Sequence, residues 1–366
     1  MGKYFFMISH PAHFHLFRVT INTLKERGHD VVVVIRPKDV LEQLCINSGM
    51  EYIKVKERSR SAGKISLTLS LLEKTREVCS IVRKDRPDLM IGCDGVIAYA
   101  GKIFGIPSFD CDEDDAEATP LFAKMFYPFF TGIIVPTVCS VGKWTDKKTG
   151  VHSYHELAYL HPNQFTPDPA KVEEYGIPRD KPFYLIRFAQ LTAHHDTGIH
   201  GIESQTALRL VRMLEPHGKV FITSERPLEH ELEPFCIHIN PLDIHHIMAF
   251  ADLFIGDSQT MAAEAGVLGT PFVRLNDFSG RLSYLNEIED KYQLGYSHKS
   301  NDVDGFFQSI QRWLDTPDRK EICAARRQRM LSEKIDYAKF LTWFIENYPA
   351  SATVMKENPD YQWRFR

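Results

Sequence analysis

Short apolar runs alternate with segments of helix length from the first residues onward. "YFFMIS" (4–9) is followed by an amphipathic stretch over about 14–27, then "GHD", then "VVVVI" (31–35). Continuous apolar strands separated by helix-length segments mark a parallel sheet covered on both faces, so this stretch predicts strand, crossover helix and parallel strand. The pattern repeats. "DVLEQLCINSG" reads as a helix, "EYIKV" as a strand, "ISLTLSLLEKTREVCSIVRKDR" as a long helix, "PDLMIGC" as a strand, "GVIAYAGKIFG" as a helix, and "IPSFDC" and "GIIVP" as strands. From about 137 to 179 the sequence is turn-rich, and its prolines forbid long helices, which predicts a linker. A second series follows: "FYLIRF" strand, "SQTALRLVRMLEPHG" helix, "KVFITS" strand, "HHIMAFA" helix, "DLFIGD" strand, "TMAAEAGVLG" helix and "TPFVRL" strand. The last segment, "EKIDYAKFLTWFIENYP", places Ile335, Phe340, Leu341, Phe344 and Ile345 at helical spacing. A helix with such a face must bury it.

The expected fold class is therefore α/β, with two doubly wound parallel sheets in series. A length of 366 residues agrees, since it suits two domains of about 150 residues. A net charge of -4 excludes a general nucleic-acid binder, which would carry a dominant basic face. The seven cysteines, an odd number with no CxxC pair, point to a reducing compartment and not to a disulfide framework or a zinc site. "MGKYFFMISHP" reads as a first buried strand and not as a signal peptide, so a cytoplasmic location is expected. The stretch "MFYPFFTGIIVP" (125–136) is shorter than the roughly 20 residues that span a bilayer. It reads as a buried helix end followed by a strand, with contact to a membrane surface as the alternative.

Open parallel sheets bind ligands beyond the carboxyl ends of their strands, which directs attention to a few residues. After the first strand come His10, His13 and His15, with imidazoles that titrate near neutrality. His13 suits a base or a sugar contact, and equally a polar loop residue or cap; His15 reads as helix surface. No histidine spacing resembles a metal site. Asp94, after "PDLMIGC", suits proton transfer and equally a turn and helix cap. The run from Asp112 to Asp115 reads as a solvated loop, with a carboxylate-held divalent cation as the alternative. In the second series, Arg187 ends a strand and can pair with a diphosphate, and "AHHDTGIHG" supplies His194, His195, Asp196 and Gly198 as a phosphate- or sugar-facing loop. Arg274 and Arg281 are second candidates for phosphate contact, with a surface salt bridge as the alternative.

"GDSQTMAAEAGVLGTP" (256–271) is the most informative stretch. A turn runs straight into an Ala-rich helix, leaving the N–H groups of Ser258, Gln259 and Thr260 at a positive helix end that suits a diphosphate. Glu264 falls on the face of Thr260 and Asp257, where it can accept hydrogen bonds from a ribose. The alternative is an N-cap by Asp257 or Ser258 and a glutamate facing solvent.

This stretch resembles the nucleotide-binding segment of GT-B fold enzymes, particularly the UDP-N-acetylglucosamine 2-epimerases, with their Asp-Ser-Gly-Gly, Glu and Gly-x-Pro pattern. Asp257, Ser258, Glu264, Gly269 and Pro271 match, while Gln259 and Thr260 replace glycines. The opening "HPAHFHLFRVTINTLKERGHDVVVV" is similar to the GT-B start, with His13 in register with its histidine and Pro11 and Ala12 in place of its glycines. With "YHELAYLHPNQFTPD" and "AHHDTGIHG", nearly the whole chain is similar to a domain-of-unknown-function family of predicted glycosyltransferases related to those epimerases.

The resemblance implies a GT-B-like fold in which two Rossmann-like domains face a cleft and the C-terminal helix returns to the N-terminal domain. The implied boundaries are 1–165, the acceptor side, with 335–366 packing back on it, and 180–334, the nucleotide-sugar side. The implied activity is transfer of a sugar from a nucleoside diphosphate donor, a UDP-sugar, to a glycan or lipid-linked acceptor in surface polysaccharide or glycoconjugate biosynthesis. The nucleotide sugar is then a substrate, with no cofactor and no strict need for a metal; peripheral membrane contact is a further expectation, and nucleic acid is not a partner. The resemblance makes His13, Asp94, Asp112 and His195 the catalytic candidates, and Arg187, His194, Asp196, Gly198, Ser258, Gln259, Thr260 and Glu264 the nucleotide-sugar contacts. Two rivals remain: a UDP-sugar 2-epimerase using Asp94, Asp112 and His195, and a non-catalytic binder, suggested by the missing glycines.

Overall fold

The first strand and the proline after it set the start of the chain. β1 (Lys3–Ile8) is buried from Tyr4 onward. α1 (Pro11–Glu26) begins with Pro11, where a missing N–H costs nothing, and is capped by His10, whose Nδ1 accepts the Ala12 N–H at 3.2 Å. The helix thus starts ahead of the predicted Phe14 and takes His13 into its first turn.

The computed structural model describes residues 1–55, 64–178, 180–189 and 201–366, with the backbone alone over 64–68. It divides into unit 1, Met1–Gln164 with Ile335–Arg366, and unit 2, Phe165–Lys334. Unit 1 continues with β2 (Asp30–Ile35), α2 (Leu41–Ser48), β3 (Ile53–Lys54), α3 (Lys64–Asp85), β4 (Leu89–Gly92), α4 (Val96–Phe104), β5 (Ser108–Asp110), α5 (Pro120–Phe126), β6 (Gly132–Pro136) and β7 (Lys148–Val151). Its strands are all parallel, in the order β3-β2-β1-β4-β5-β6-β7. The chain winds one way to β3 and the other way from β4, so the switch point lies between β1 and β4, where such a sheet takes its ligand.

Unit 2 holds α6 (Pro169–Glu174), β8 (Phe183–Phe188), α7 (Ser204–Leu214), β9 (Lys219–Ser224), α8 (Ile244–Phe250), β10 (Leu253–Gly256), α9 (Gln259–Leu268), β11 (Phe272–Leu275), α10 (Ser283–Asn286), β12 (Gly295–His298), α11 (Val303–Leu314) and α12 (Arg319–Ser332). Its parallel order is β12-β11-β10-β8-β9, with the switch point between β8 and β10.

The predicted linker is instead built into the units. It supplies β7 and the buried turn His155–Ala158 to unit 1, and α6 to unit 2. β7, "KTGV", is an edge strand buried only at Val151, so it lacks the apolar signature of the inner strands. The prolines stop long helices but not short ones: Pro169 opens α6.

α13 (Tyr337–Glu346) and α14 (Ala350–Glu357) belong to unit 1. Asp336 caps α13 by accepting the Lys339 N–H at 3.1 Å, and the predicted apolar face is buried, with Phe344 meeting Phe109 of β5 at 5.2 Å. Gln362, fully buried, accepts the His152 N–H at 2.7 Å just past β7. All seven cysteines are free thiols, and Cys45, Cys93, Cys111, Cys139 and Cys323 are buried. Among the described residues, no helix is long and apolar enough to cross a membrane.

Candidate functional site

The carboxyl ends of β1, β2, β4 and β5 in unit 1 gather titratable side chains. Asp94 follows β4; its carboxylate contacts Lys74 Nζ of α3 and accepts the Val96 N–H at 3.3 Å. Burial alone would raise its pKa, but Lys74 and Arg36 outweigh burial and hold it below the ordinary aspartate value. Asp94 therefore caps the turn before α4, and it is also an ionised carboxylate at the ligand edge of the sheet. His13 reaches the same neighbourhood from α1. Burial, and then His10 and His155, push its imidazole well below the usual value while Asp94 pulls the other way, so the ring is neutral at pH 7. Its Nδ1 is buried without a hydrogen-bond partner.

His15 does not lie on the helix surface. It is 6% exposed, with its ring 5.1 Å from that of Tyr159 and 5.2 Å from that of Phe14, because the turn carrying Tyr159 covers this face of α1.

The acidic run after β5 is no solvated loop either. Glu113 and Asp115 are buried. Asp115 accepts the Ser140 N–H at 2.6 Å. Glu113 Oε1 lies 3.4 Å from His155 Nδ1, and Oε2 accepts the His155 N–H at 3.3 Å. Burial, and then Glu156 and Asp114, push Glu113 well above the carboxylate range, and burial keeps His155 down at about 3, so this pair is neutral. Asp112 is half-buried, its Oδ1 facing the Asp114 N–H at 3.5 Å. Among the described residues, no group of three or more histidine, cysteine or carboxylate side chains is placed to hold a metal ion. Asp110, which the sequence did not single out, is fully buried, and neither of its oxygens meets a donor in good geometry. Burial, and then the charge of Asp112, raise it well above the ordinary value, which favours the neutral acid.

In unit 2, Asp257 follows β10 and is fully buried. Oδ1 accepts the Ala189 N–H at 2.6 Å and Oδ2 the Ile202 N–H at 3.2 Å, so one carboxylate clamps both flanks of residues 190–200. Asn276 Nδ2 donates to the Asp257 carbonyl oxygen at 2.8 Å. Burial raises Asp257 to about 6, with the Ala189 N–H and Arg226 restraining the rise. The predicted contacts His194, His195, Asp196 and Gly198 lie outside the described residues.

Ser258 is the N-cap of α9, its Oγ accepting the Met261 N–H at 3.3 Å. Ser258, Gln259 and Thr260 are half-buried, and among the described residues their N–H groups meet no backbone acceptor. These are the open donors that every helix start presents. The helix is Ala-rich because residues 262–267 are buried, and it ends at Gly269, whose φ of 82° suits glycine. Glu264 does not face solvent. It is 3% exposed, with Oε1 2.9 Å from His245 Nε2 of α8. Arg187 is half-buried; its Nη2 pairs with Glu225, just past β9, and its Nε is buried without an acceptor. Arg274 makes no surface salt bridge: fully buried in β11, it donates to Glu289 at 2.6 and 3.3 Å. Arg281 is exposed, over the Phe278 ring at 5.1 Å.

Of the missed residues Arg36, Lys74, Asp110 and His155, Lys74 and His155 are held by partners from other elements, Asp94 and Glu113. Arg36, directly after "VVVVI", and Asp110, at the end of "PSFD", both carried a local signal, their place at a strand's carboxyl end.

No family model matches the chain, and no curated protein sequence matches it. Solved structures do. The chain is similar to MnaA of S. aureus in a co-structure with UDP, with a TM-score of 0.67 at 12% identity over 95% of this chain and 97% of that one. It is similar to the UDP-GlcNAc 2-epimerase of Neisseria meningitidis bound to UDP-GlcNAc, with a TM-score of 0.63 at 12% identity over 94% and 98%. The spinosyn forosaminyltransferase SpnP gives a TM-score of 0.65 at 16% identity over 94% and 98%. Epimerase and transferase alike match over nearly the whole length, and the chain has the GT-B fold.

Proposed function

We propose that the chain is a glycosyltransferase that moves a sugar from a nucleoside diphosphate donor, a UDP-sugar, to an acceptor, with unit 2 binding the donor and unit 1 the acceptor. The observation that carries this reading is the start of α9, where half-buried Ser258, Gln259 and Thr260 present open N–H groups beside a carboxylate clamp. Such a helix end stabilises the charge that develops on a departing diphosphate. Glu264, its carboxylate fixed by His245, takes the ribose hydroxyls. In unit 1 the neutral His13, with its open nitrogen, accepts the hydrogen of an acceptor hydroxyl. Exposed Ile103, Leu121 and Phe129, among exposed Lys102 and Lys124, support peripheral membrane contact and a glycan or lipid-linked acceptor of the kind used in surface polysaccharide or glycoconjugate assembly.

Calorimetric titration with UDP, UMP and uridine tests the donor end. Each phosphate is expected to add about 1.5–3 kcal/mol, the scale of hydrogen bonds to charged groups. Uridine binding as tightly as UDP, or no binding of UDP, would refute it. A second reading, a 2-epimerase, draws on the opposite perturbation of two carboxyl groups, Asp94 low and Asp110 high. An epimerised sugar formed without any acceptor would select it.

A further inference from the structure

The ligand edge of unit 1 carries a cation that, among the described residues, has no ion-pair partner. Arg36 directly follows β2 and is tied to the end of β1 by its N–H, which donates to the Ile8 carbonyl at 2.9 Å. The residue is half-buried, its Nε is buried with no acceptor, and among the described residues no carboxylate stands within ion-pair distance of it. The other cations here are matched: Lys74 contacts Asp94, and Lys38 lies 3.7 Å from Asp39. Asp94 feels the charge of Arg36, but its oxygens are engaged by Lys74 and the Val96 N–H. His13, also in the electrostatic neighbourhood of Asp94 and of Lys38, has its own open buried nitrogen. Among the described residues, Lys38 and Lys74 at this edge each meet a carboxylate, whereas Arg36 meets none within ion-pair distance. A guanidinium partly withdrawn from water without a partner is costly to the fold, and its forked donors match the oxygens of a carboxylate or a phosphate.

We propose that the substrate of unit 1 carries an anionic group, a carboxylate or a phosphate, that pairs with Arg36 while His13 hydrogen-bonds beside it. This rests on the transferase reading only in calling that substrate the acceptor; the anion site itself stands on unit 1 alone. A sugar acid or a sugar phosphate presents the required oxygens next to hydroxyl groups. Asp94, ionised and held by Lys74, repels an anion that approaches on its own side, so it helps to set where the group can sit.

The test uses the full chain and three probes, glucuronate, glucose 1-phosphate and neutral glucose, with binding followed by ligand-observed NMR. At least one anionic probe should bind about tenfold or more tightly than glucose, the scale of a charge-assisted hydrogen bond. Whichever anion is preferred identifies the source as carboxylate or phosphate. Arg36→Gln should abolish the preference, and Arg36→Lys should restore part of it. UDP affinity, whose proposed contacts all belong to unit 2, should stay within about twofold in both variants. No preference for either anion, or a preference that survives in Arg36→Gln, overturns the proposal. Failure of the parent chain to bind UDP, with an Arg36-dependent anion preference intact, would instead overturn the donor reading and leave this one standing.

Discussion

Replacing Asp257 with asparagine should change how the fold responds to pH, by an amount that follows from its surroundings. The carboxyl group is fully buried and titrates at about 6 against an ordinary 3.8, because burial disfavours the charge more than the Ala189 N–H, Arg226 and the Ile202 N–H favour it. A group whose folded pKa is raised contributes its full stability below the unfolded value, and that contribution is lost as pH rises through the folded value. The interval from 3.8 to about 6 amounts to about 3 kcal/mol, at about 1.4 kcal/mol per pH unit. Asparagine has the same shape and does not titrate. At pH 7 the variant is spared that cost but turns an NH2 group toward one of two N–H donors, losing about 1.5–3 kcal/mol, so parent and variant should be nearly equal in stability. Toward pH 4 the parent regains its contribution and should exceed the variant by about 3 kcal/mol. Urea unfolding of both proteins at pH 7, 5.5 and 4, followed by circular dichroism, reads the gap directly. A gap that stays constant, or narrows on acidification, would show that this carboxylate is not a buried clamp.

Gly201→Ala should act on the same clamp, since an added Cβ would stand 2.5 Å from Asp257 Oδ2; a loss of about 1–3 kcal/mol in urea unfolding is expected. Arg274→Met should cost about 3–5 kcal/mol by stranding Glu289 in the interior, and a loss under about 1 kcal/mol would mean that the pair is hydrated. His15→Ala should lower thermal stability by about 2–4 kcal/mol through lost packing on Tyr159. His13→Ala should leave stability nearly intact and lower turnover about a hundredfold or more once an acceptor is identified, and equal turnover would remove it from the chemistry.

Apolar inner strands announced themselves because both faces of a parallel sheet are covered. "VVVVI", "LMIG" and "LFIG" are buried along most of their lengths, and no other element tolerates such runs so briefly. Two of the edge strands did not: "KTGV" and "GYSH" pair on one side only and carry polar residues and glycine, which the same criterion reads as turn. Side-chain roles divide in a similar way. His13 and Ser258 could be placed because the strand-end rule is local to the chain. The burial of His15 depends on Tyr159, that of Arg274 on Glu289, and the clamp at Asp257 on Ala189 and Ile202, all remote in sequence. Residue type alone assigns arginine and histidine to the surface; only the partner explains why they are inside.

The same distinction bears on the two positions where the chain departs from the epimerase pattern. Gln259 and Thr260 stand where those enzymes carry glycines, yet both are in regular helix, and neither has a positive φ. The backbone therefore does not require glycine there, and the donors offered to a diphosphate are main-chain N–H groups that any residue but proline supplies. On the proposed donor reading, the larger side chains change the space above the helix end, and hence which sugar can follow the diphosphate. Unit 1 is built the other way: its charges come from the side chains of Arg36, Lys74 and Asp94, so exchanging any one alters the field itself. Substitution should therefore disturb the proposed acceptor site in unit 1 more than the proposed donor site in unit 2. Thr260→Gly is expected to keep UDP affinity within about threefold, as for loss of a side chain that contributes no donor to the anion. A much larger loss of affinity would place the Thr260 hydroxyl, and not the helix end, at the phosphates.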